Sequence, residues 1–209
     1  MALYKTIQSP RYTVGIWKIE EDLNTLLGLV NLSAKDSNTL SSFSSVKRKT
    51  EWVAVRVLLK ELIQEERQIE YTLSGKPYFL DNKGYLSISH TDSFVAVIYS
   101  STTAVSIDIE RFHERVNRVA YRFINEDEEY VYVAGENETW MKLLVWSTKE
   151  TIYKYIDTEN VDWLEHIKTY PFMLQQEGSI VAKEYRTPSQ LLFYISYFRE
   201  KEFVLTWTS

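Results

Sequence analysis

The sequence contains no cysteine and is poor in glycine and proline, which number six and four among its 209 residues. The absence of cysteine excludes disulfide bonds, thiolate metal sites and cysteine nucleophiles. No apolar run approaches the length needed to span a bilayer, and the first ten residues lack the apolar core of a signal peptide. We therefore expect no membrane association and a cytoplasmic location.

An excess of positive charge is also missing. The formal net charge is −5, which argues against general nucleic-acid binding. An anionic ligand would have to be held by a local group of cations. A composition of 44% hydrophobic and 25% charged residues predicts a folded chain, long enough for one large domain or two smaller halves.

Two carboxylates stand in one predicted strand, V-S-I-D-I-E over residues 105–110. Residues i and i+2 of a strand share a face, so Asp108 and Glu110 point the same way. A half-solvated strand with acidic residues on its polar side is the alternative interpretation. Side by side, the two carboxylates would be suitable ligands for a hard divalent cation.

A second motif, W-S-T-K-E-T-I-Y-K, covers residues 146–154. In a helix, Glu150 and Lys154 lie one turn apart on the same face, so they can reach one site together. One offers a metal ligand and the other a cation for phosphate. Together with the acidic strand, they predict a site for Mg²⁺, or Mn²⁺, and a pyrophosphate group.

Glu150 has two structural alternatives. It could form an ordinary surface pair with Lys154, or it could complete a capping box with Ser147 at a helix start. However, an apolar spacing of helical type runs across Ser147 without glycine or proline, through Trp140, Leu143, Leu144 and Ile152. A helix start at Ser147 is therefore not expected.

The first half reads as strands and helices in mixed order. We predict a strand over 13–19, a short helix over 20–30, a serine-rich connection over 33–45, a long helix over 45–66, turns at 75–77 and 81–84, and a strand over 94–99. A turn over 100–103 would join that last strand to the acidic strand as a hairpin.

The second half repeats this order. The acidic strand precedes a helix over 115–123, another opened by Asn125, a long helix over 139–156, and strands around Gly178 and from 191 to 207. We therefore predict an α+β fold in one compact unit. Its hypothetical duplicated α/β halves, about 1–100 and 101–209, would have a pseudo-two-fold relation, with a ligand between them.

Four motifs in order carry a family resemblance. They are Gly75-Lys-Pro77, Ser87-Ile-Ser-His90, Ser106-Ile-Asp-Ile-Glu110 and the motif over 146–154. Over about 45–155, the chain resembles the Sfp-type 4′-phosphopantetheinyl transferases. It departs from their pattern at Ser106, usually glycine, and at Thr151, usually alanine or serine. We expect Ser106 to be tolerated and Thr151 to change only local packing.

The resemblance implies a reaction. The serine hydroxyl of an apo acyl or peptidyl carrier protein attacks the β-phosphate of coenzyme A, phosphopantetheine moves to the serine, and 3′,5′-ADP leaves. Asp108, Glu110 and Glu150 would hold magnesium, and Lys154 would bind the pyrophosphate. Glu150 is the favoured general base.

Glu128 is a second candidate for the base. The segment over 122–128 resembles the sequence segment that carries a third carboxylate near the metal in the family. The alternative is structural, because Asn125 and Glu128 also have the spacing of a capping box.

The resemblance further implies that the first half binds the remaining phosphate and the adenine of coenzyme A. Arginine suits such binding because its guanidinium can make two parallel hydrogen bonds to a phosphate. A solvated helix face is the alternative for Arg56, and a structural histidine is the alternative for His90. The implied coenzyme A-binding residues are Arg48, Arg56, Lys76, Ser89, His90 and Lys154.

Carrier proteins of this kind are generally acidic, so the resemblance implies that a local cationic or apolar patch must overcome the net charge of −5. Arginines at three- and four-residue spacing follow the acidic strand, and a helix would present them as one stripe. Pairs with Glu114 or Glu126 are the alternative. The arginine stripe consists of Arg111, Arg115, Arg118 and Arg122.

Two other functions fit parts of the pattern. A non-catalytic module that binds coenzyme A or a carrier protein would be expected to have lost an acidic ligand or Lys154, and none is lost. A metal-dependent phosphohydrolase would use the same carboxylates but would not account for the motifs at 75–77 and 87–90. We expect a monomer, with neither nucleic acid nor membrane as a partner.

Overall fold

The computed structural model describes residues 3–132 and 135–209, and the fold is mixed α+β, as predicted. The chain divides into two compact units. Unit 1 comprises the residues up to Val105 together with Ser209, and unit 2 comprises Ser106–Thr208. Among the described residues, no helix has the length and apolar character that a membrane crossing requires. The duplication of the halves stays a prediction.

Unit 1 is built on a four-stranded antiparallel sheet in the order β1-β2-β6-β5. Helix α3 packs on this sheet, and Gly15 allows the close approach, because a Cβ there would lie 2.8 Å from Leu58 and Leu62 side-chain atoms. The elements are β1 Leu3–Gln8, β2 Thr13–Lys18, α1 Leu23–Leu27, α2 Ala34–Ser42, α3 Val46–Ile63, β3 Ile69–Tyr71, β4 Pro77–Phe79, β5 Tyr85–Thr91 and β6 Phe94–Ser100.

Two predictions for this unit are wrong. The serine-rich connection over 33–45 contains helix α2, which begins because the Ser33 hydroxyl accepts a hydrogen bond from the Asp36 backbone nitrogen at 3.0 Å. The hairpin between β6 and the acidic strand does not form. Strand β6 already pairs with β2 and β5 along both edges, so it has no edge left for a further strand.

Unit 2 is built on a five-stranded antiparallel sheet in the order β7-β11-β10-β9-β8. Its long helix α5 packs on β7 and β11. The elements are β7 Ser106–Arg111, α4 Arg115–Val119, short 3-10 helices at Ala120–Arg122, Glu126–Val131 and Gly135–Asn137, α5 Glu138–Ile156, β8 Ile167–Thr169, β9 Glu177–Glu184, β10 Leu192–Arg199 and β11 Phe203–Thr208.

Helix α5 confirms the predicted long helix. It runs through Ser147 without interruption, so Ser147 and Glu150 do not form a capping box at a helix start. The other capping box does form, with Asn125 and Glu128 at the start of the 3-10 helix Glu126–Val131. The predicted second helix is therefore present as a 3-10 helix.

A buried ion pair anchors α5 to the loops beside it. Lys149 Nζ lies 2.8 Å from Glu128 Oε2, and both side chains are 0% exposed. The ammonium group also donates to the carbonyl oxygens of Phe123 and Trp163, at 2.5 and 2.9 Å. All three ammonium protons thus have acceptors, which offsets the cost of burying the charge. Burial lowers the pKa of Lys149, and the nearby Glu128 opposes this shift.

This pair generates a stability prediction. Lys149→Met should lower the free energy of unfolding by about 3–5 kcal/mol, because Glu128 keeps a buried charge that has lost its counter-ion. Lys168→Met is the matched control. Its pair with Asp127 lies 2.6 Å apart at the surface, with 28% and 68% of the side chains exposed. Such a pair contributes about 1 kcal/mol or less. Equal losses in urea unfolding at pH 7 would contradict the prediction.

Candidate active site

Strand β7 presents the two predicted carboxylates at one edge of the sheet. Asp108 pairs with Thr206 and Glu110 with Val204, both on β11. Asp108 is only 3% exposed. The alternative of a half-solvated strand therefore does not describe this position, and a carboxylate so deeply buried needs partners.

Helix α5 provides these partners. Lys154 Nζ lies 2.8 Å from Asp108 Oδ1, and the Ser147 hydroxyl lies 2.8 Å from Asp108 Oδ2. The indole nitrogen of Trp146 donates to Glu110 Oε1, also at 2.8 Å. Three side chains of one helix, spread over about two turns, thus hold both carboxylates of the strand.

The third predicted carboxylate, Glu150, belongs to the same electrostatic group. Burial, followed by the charge of Asp108, raises the pKa of Glu150 and of Glu110 to about 7 in each case. Lys154 opposes both shifts. Within the described residues, no protein group donates a hydrogen bond to the Glu150 carboxylate. The structure therefore places Lys154 against Asp108 and includes Glu110 and Glu150 in the same electrostatic group, and the roles of these four residues stay predictions.

A divalent cation suits this set chemically. Mg²⁺ prefers hard oxygen ligands, and a cation would offset both the burial and the charge of Asp108 that raise the two pKa values. In the described part of the chain, however, no group of three or more histidine, aspartate or glutamate side chains is gathered closely enough to hold a metal ion. Protein donors hold Asp108 and Glu110 instead. The residues fit the ion by type and charge.

Glu128 lies inside unit 2 and is 0% exposed. Its Oε1 accepts hydrogen bonds from the Thr169 backbone nitrogen and hydroxyl, at 2.7 and 2.5 Å. Its Oε2 accepts from Lys149 and from the Asn125 backbone nitrogen. Both oxygens therefore already have a structural task, and the role of Glu128 as a base stays a prediction.

The predicted coenzyme A residues of unit 1 have different environments. Arg48 and His90 are brought together, with Arg48 Nη1 2.7 Å from His90 Nε2, and both are exposed. Arg56 is buried, pairs with Asp36 at 3.0 Å, and stacks over Trp52 with 3.1 Å between its guanidinium carbon and the ring centroid. Arg48 and Arg56 are eight residues apart, or about 12 Å along α3.

Lys76 and Ser89 complete the predicted set in unit 1. Lys76 is half-buried in the turn between β3 and β4, where its backbone nitrogen donates to the Thr72 hydroxyl at 3.1 Å. Ser89 is 7% exposed on β5, opposite Ala96 of β6. Their roles in binding stay predictions.

A cavity of about 200 Å³ lies beside Glu110 in unit 2. Its wall is mainly apolar, and α4 contributes Val116 and Val119 to it. One arginine of the predicted stripe, Arg122, also borders it. The remaining lining residues are His113, Phe123, Leu143 and Trp146.

The arginine stripe is exposed at all four positions. It does not lie on one α-helix, because α4 ends at Val119 and the chain continues as a 3-10 helix to Arg122. In the described residues, neither Glu114 nor Glu126 forms an ion pair with Arg115, Arg118 or Arg122. The alternative of internal pairs is therefore not observed for these three arginines.

Trp146, Ser147 and Lys149 are structural contributors that sequence reasoning did not assign to the site. Trp146 and Ser147 bind the carboxylates directly, and Lys149 fixes the helix. A signal was present, because Ser147 precedes Glu150 by three residues and Lys154 by seven, so all three lie on one helical face.

A family model described as the 4′-phosphopantetheinyl transferase superfamily matches residues 104–208. The matched segment covers half of the chain and includes β7, α5 and β11. The chain therefore belongs to this superfamily, and membership supports phosphopantetheinyl transfer as its activity. No protein of curated function matches the sequence.

The raised pKa values generate a prediction about stability and pH. A carboxyl group whose pKa rises from its ordinary 4.5 to about 7 binds its proton more tightly in the folded state. Its stabilising contribution is complete below pH 4.5 and is lost as the pH rises through 7. Glu150→Gln removes this loss, so its advantage in unfolding free energy over the wild type should be about 2–3 kcal/mol larger at pH 8 than at pH 5.

Urea unfolding at both pH values, with EDTA present, measures this difference. Glu129→Gln is the control, because Glu129 is exposed in the same unit and should show no such change. An effect of Glu150→Gln that is the same at both pH values would contradict the prediction.

Proposed function

We propose that the protein is an Sfp-type enzyme that transfers the 4′-phosphopantetheine group of coenzyme A to a serine of an apo acyl or peptidyl carrier protein. The observation that carries this proposal is the contact between α5 and β7. It brings Glu150 and Lys154 to Asp108 and Glu110 inside the segment that matches the superfamily. A cytoplasmic location and a monomeric state remain part of the proposal.

In the proposed reaction, the carrier serine oxygen forms a bond to the β-phosphorus of coenzyme A, and the bond to the 3′,5′-ADP phosphate oxygen breaks. The serine proton passes to Glu150, whose pKa of about 7 suits a base at neutral pH. Lys154 would bind the pyrophosphate. Magnesium, held by Asp108, Glu110 and Glu150, would neutralise charge on the phosphate oxygens when bound.

For the other anionic groups of coenzyme A, we propose Arg48 and His90 as the main partners in unit 1. Their exposure and their 2.7 Å contact support this choice, since they can meet one phosphate together. Arg56 keeps a supporting role, because Asp36 and Trp52 already bind its guanidinium. Lys76 and Ser89 remain proposed contributors.

The first test is transfer itself. With coenzyme A and Mg²⁺, the protein should add one phosphopantetheine group to an apo carrier protein, and intact-mass spectrometry measures the gain. Asp108→Asn should reduce turnover by at least about 100-fold, because an amide is a poorer magnesium ligand than a carboxylate. Asp127→Asn is the matched control, since Asp127 is an exposed aspartate of the same unit.

The same assay separates the alternatives. Binding of coenzyme A without a mass gain on any of several apo carriers would favour a binding module. Release of 3′,5′-ADP without a carrier protein would favour a phosphohydrolase. Either result, with a known transferase active in parallel, would overturn the proposal.

We further propose that the arginine stripe docks the acidic carrier protein. Two observations support it: in the described residues, Arg115 and Arg118 have no acidic partner, and α4 lines the cavity beside Glu110. A partner seated on α4 would thus lie next to the carboxylates. Charge complementarity of this kind acts mainly on the rate of encounter.

Charge reversal tests this surface. Arg115→Glu combined with Arg118→Glu should raise the KM for the carrier protein about 10-fold or more at low salt, and less at high salt, while the KM for coenzyme A stays unchanged. Lys83→Glu with Lys183→Glu changes the total charge equally at positions outside the stripe. A carrier KM that responds equally to both double variants would remove the stripe from the docking surface.

A further inference from the structure

Three buried hydroxyl side chains lie in series behind the Asp108 carboxylate, and a fourth, that of Ser106, binds the backbone of the last residue in the series. The distance from Asp108 Oδ2 to Ser147 Oγ is 2.8 Å, from Ser147 Oγ to Thr206 Oγ1 is 2.8 Å, and from Thr206 Oγ1 to Thr151 Oγ1 is 2.6 Å. Ser106 Oγ then donates to the Thr151 carbonyl oxygen at 2.7 Å. All four hydroxyl residues are 0% exposed, so solvent cannot replace these bonds.

The position of each hydroxyl follows from the secondary structure. Ser147 and Thr151 are four residues apart in α5 and therefore lie on one face. Thr206 stands opposite Asp108 in the register of β11 with β7. Ser106 precedes Asp108 by two residues in β7, on the same face of the strand. One helix and two strands thus fix the series.

The donors and acceptors available to each group determine the direction of the hydrogen bonds in the series. An ionised carboxylate only accepts, so the Ser147 proton points to Asp108. Ser147 Oγ can then only accept from Thr206, and Thr206 Oγ1 can only accept from Thr151. The competing backbone acceptors are farther away, with Ser147 O at 2.9 Å from Thr206 and Thr206 O at 3.2 Å from Thr151. With Thr206 donating to Ser147 Oγ and Thr151 donating to Thr206 Oγ1, all three hydroxyl dipoles point toward Asp108, and each strengthens the next.

The two departures from the family motifs meet in this series. Ser106 stands where glycine is usual, and Thr151 where alanine or serine is usual. The Ser106 hydroxyl binds the Thr151 carbonyl, and the Thr151 hydroxyl supplies the most distant of the three aligned dipoles. The expectation that Thr151 changes only local packing is therefore incomplete.

We propose that Thr151, acting through Thr206 and Ser147, is a positioning residue for the Asp108 carboxylate. The aligned hydroxyls hold Oδ2 in one orientation and stabilise the negative charge with which Asp108 attracts a divalent cation. Lys154 holds the other oxygen. This inference rests on the metal role of Asp108 under the proposed function.

The test measures Mn²⁺ binding in the presence of coenzyme A, from the electron paramagnetic resonance signal of the free ion. Thr151→Val keeps the shape of the side chain but removes the hydroxyl, and it should weaken Mn²⁺ binding about 3- to 10-fold. Ser147→Ala removes the direct partner and should weaken it about 10- to 100-fold. Thr151→Ser keeps the hydroxyl and should retain nearly wild-type affinity.

Thr148→Val is a matched control. Thr148 is also 0% exposed on α5, but its hydroxyl has no hydrogen-bond partner in the described structure. The same chemical change should therefore leave Mn²⁺ affinity within about twofold of the wild type. Thr206→Val approaches the series from the strand and should resemble Thr151→Val.

The outcomes distinguish a failure of the positioning role of Thr151 from a failure of the metal role of Asp108. If the wild type binds Mn²⁺ and Thr151→Val binds it as tightly as Thr148→Val does, the positioning role is overturned. If Thr151→Ser loses as much affinity as Thr151→Val, the methyl group and not the hydroxyl matters, which also overturns it. A wild type that binds no Mn²⁺ overturns the metal role of the proposed function itself.

Discussion

The site depends on one constraint, the contact between helix α5 and the edge strand β7. The face of α5 in this contact carries Ser147, Glu150 and Lys154. Asp108 is buried with its charge, and a buried carboxylate persists only with good partners. Lys154 and Ser147 provide them from the helix. The same partners determine how the helix is placed along the strand. Packing and electrostatics therefore fix one arrangement together.

A second buried interaction, the ion pair between Lys149 and Glu128, holds another face of the helix. Lys149 and Glu150 are neighbours in sequence, yet Lys149 is enclosed with Glu128 while Glu150 belongs to the group of site carboxylates. Adjacent residues on a helix point about 100° apart, so anchoring one fixes the direction of the other. The enclosed pair thus restricts rotation of α5 about its axis, which keeps Glu150 near Asp108.

The strain of the site is electrostatic. Three carboxylates share a space with one lysine, and the pKa values of Glu110 and Glu150 rise to about 7 as a result of burial and of the charge on Asp108. Such an arrangement costs stability at neutral pH and is more often found where a ligand compensates for it. The hydroxyl series behind Asp108 holds one oxygen of that carboxylate through Ser147.

Short periodicities in the sequence determined much of this protein. The period of two placed Asp108 and Glu110 on one face, and the period of 3.6 placed Glu150 and Lys154 together and carried α5 across Ser147. Both depend only on local backbone geometry. Strand pairing was beyond such reasoning, because β7 pairs with β11, which lies about a hundred residues away. The sequence predicted a hairpin between β6 and β7 because the two strands are neighbours in the chain. This hairpin does not form, because β6 pairs with β2 along one edge and with β5 along the other.

Only the tertiary structure decided which polar groups are buried together. Arg48 and Arg56 were predicted for the same role on the same helix. In the structure, Arg48 is exposed beside His90, whereas Arg56 is enclosed by Asp36 and Trp52. Thr148 and Thr151 are both buried threonines of α5, and of these two only Thr151 forms a side-chain hydrogen bond to β11. Burial and hydrogen bonding depend on the elements that pack around a residue. Those elements are distant in sequence. Composition and spacing can therefore identify the candidate site residues but cannot identify the residues that contact them.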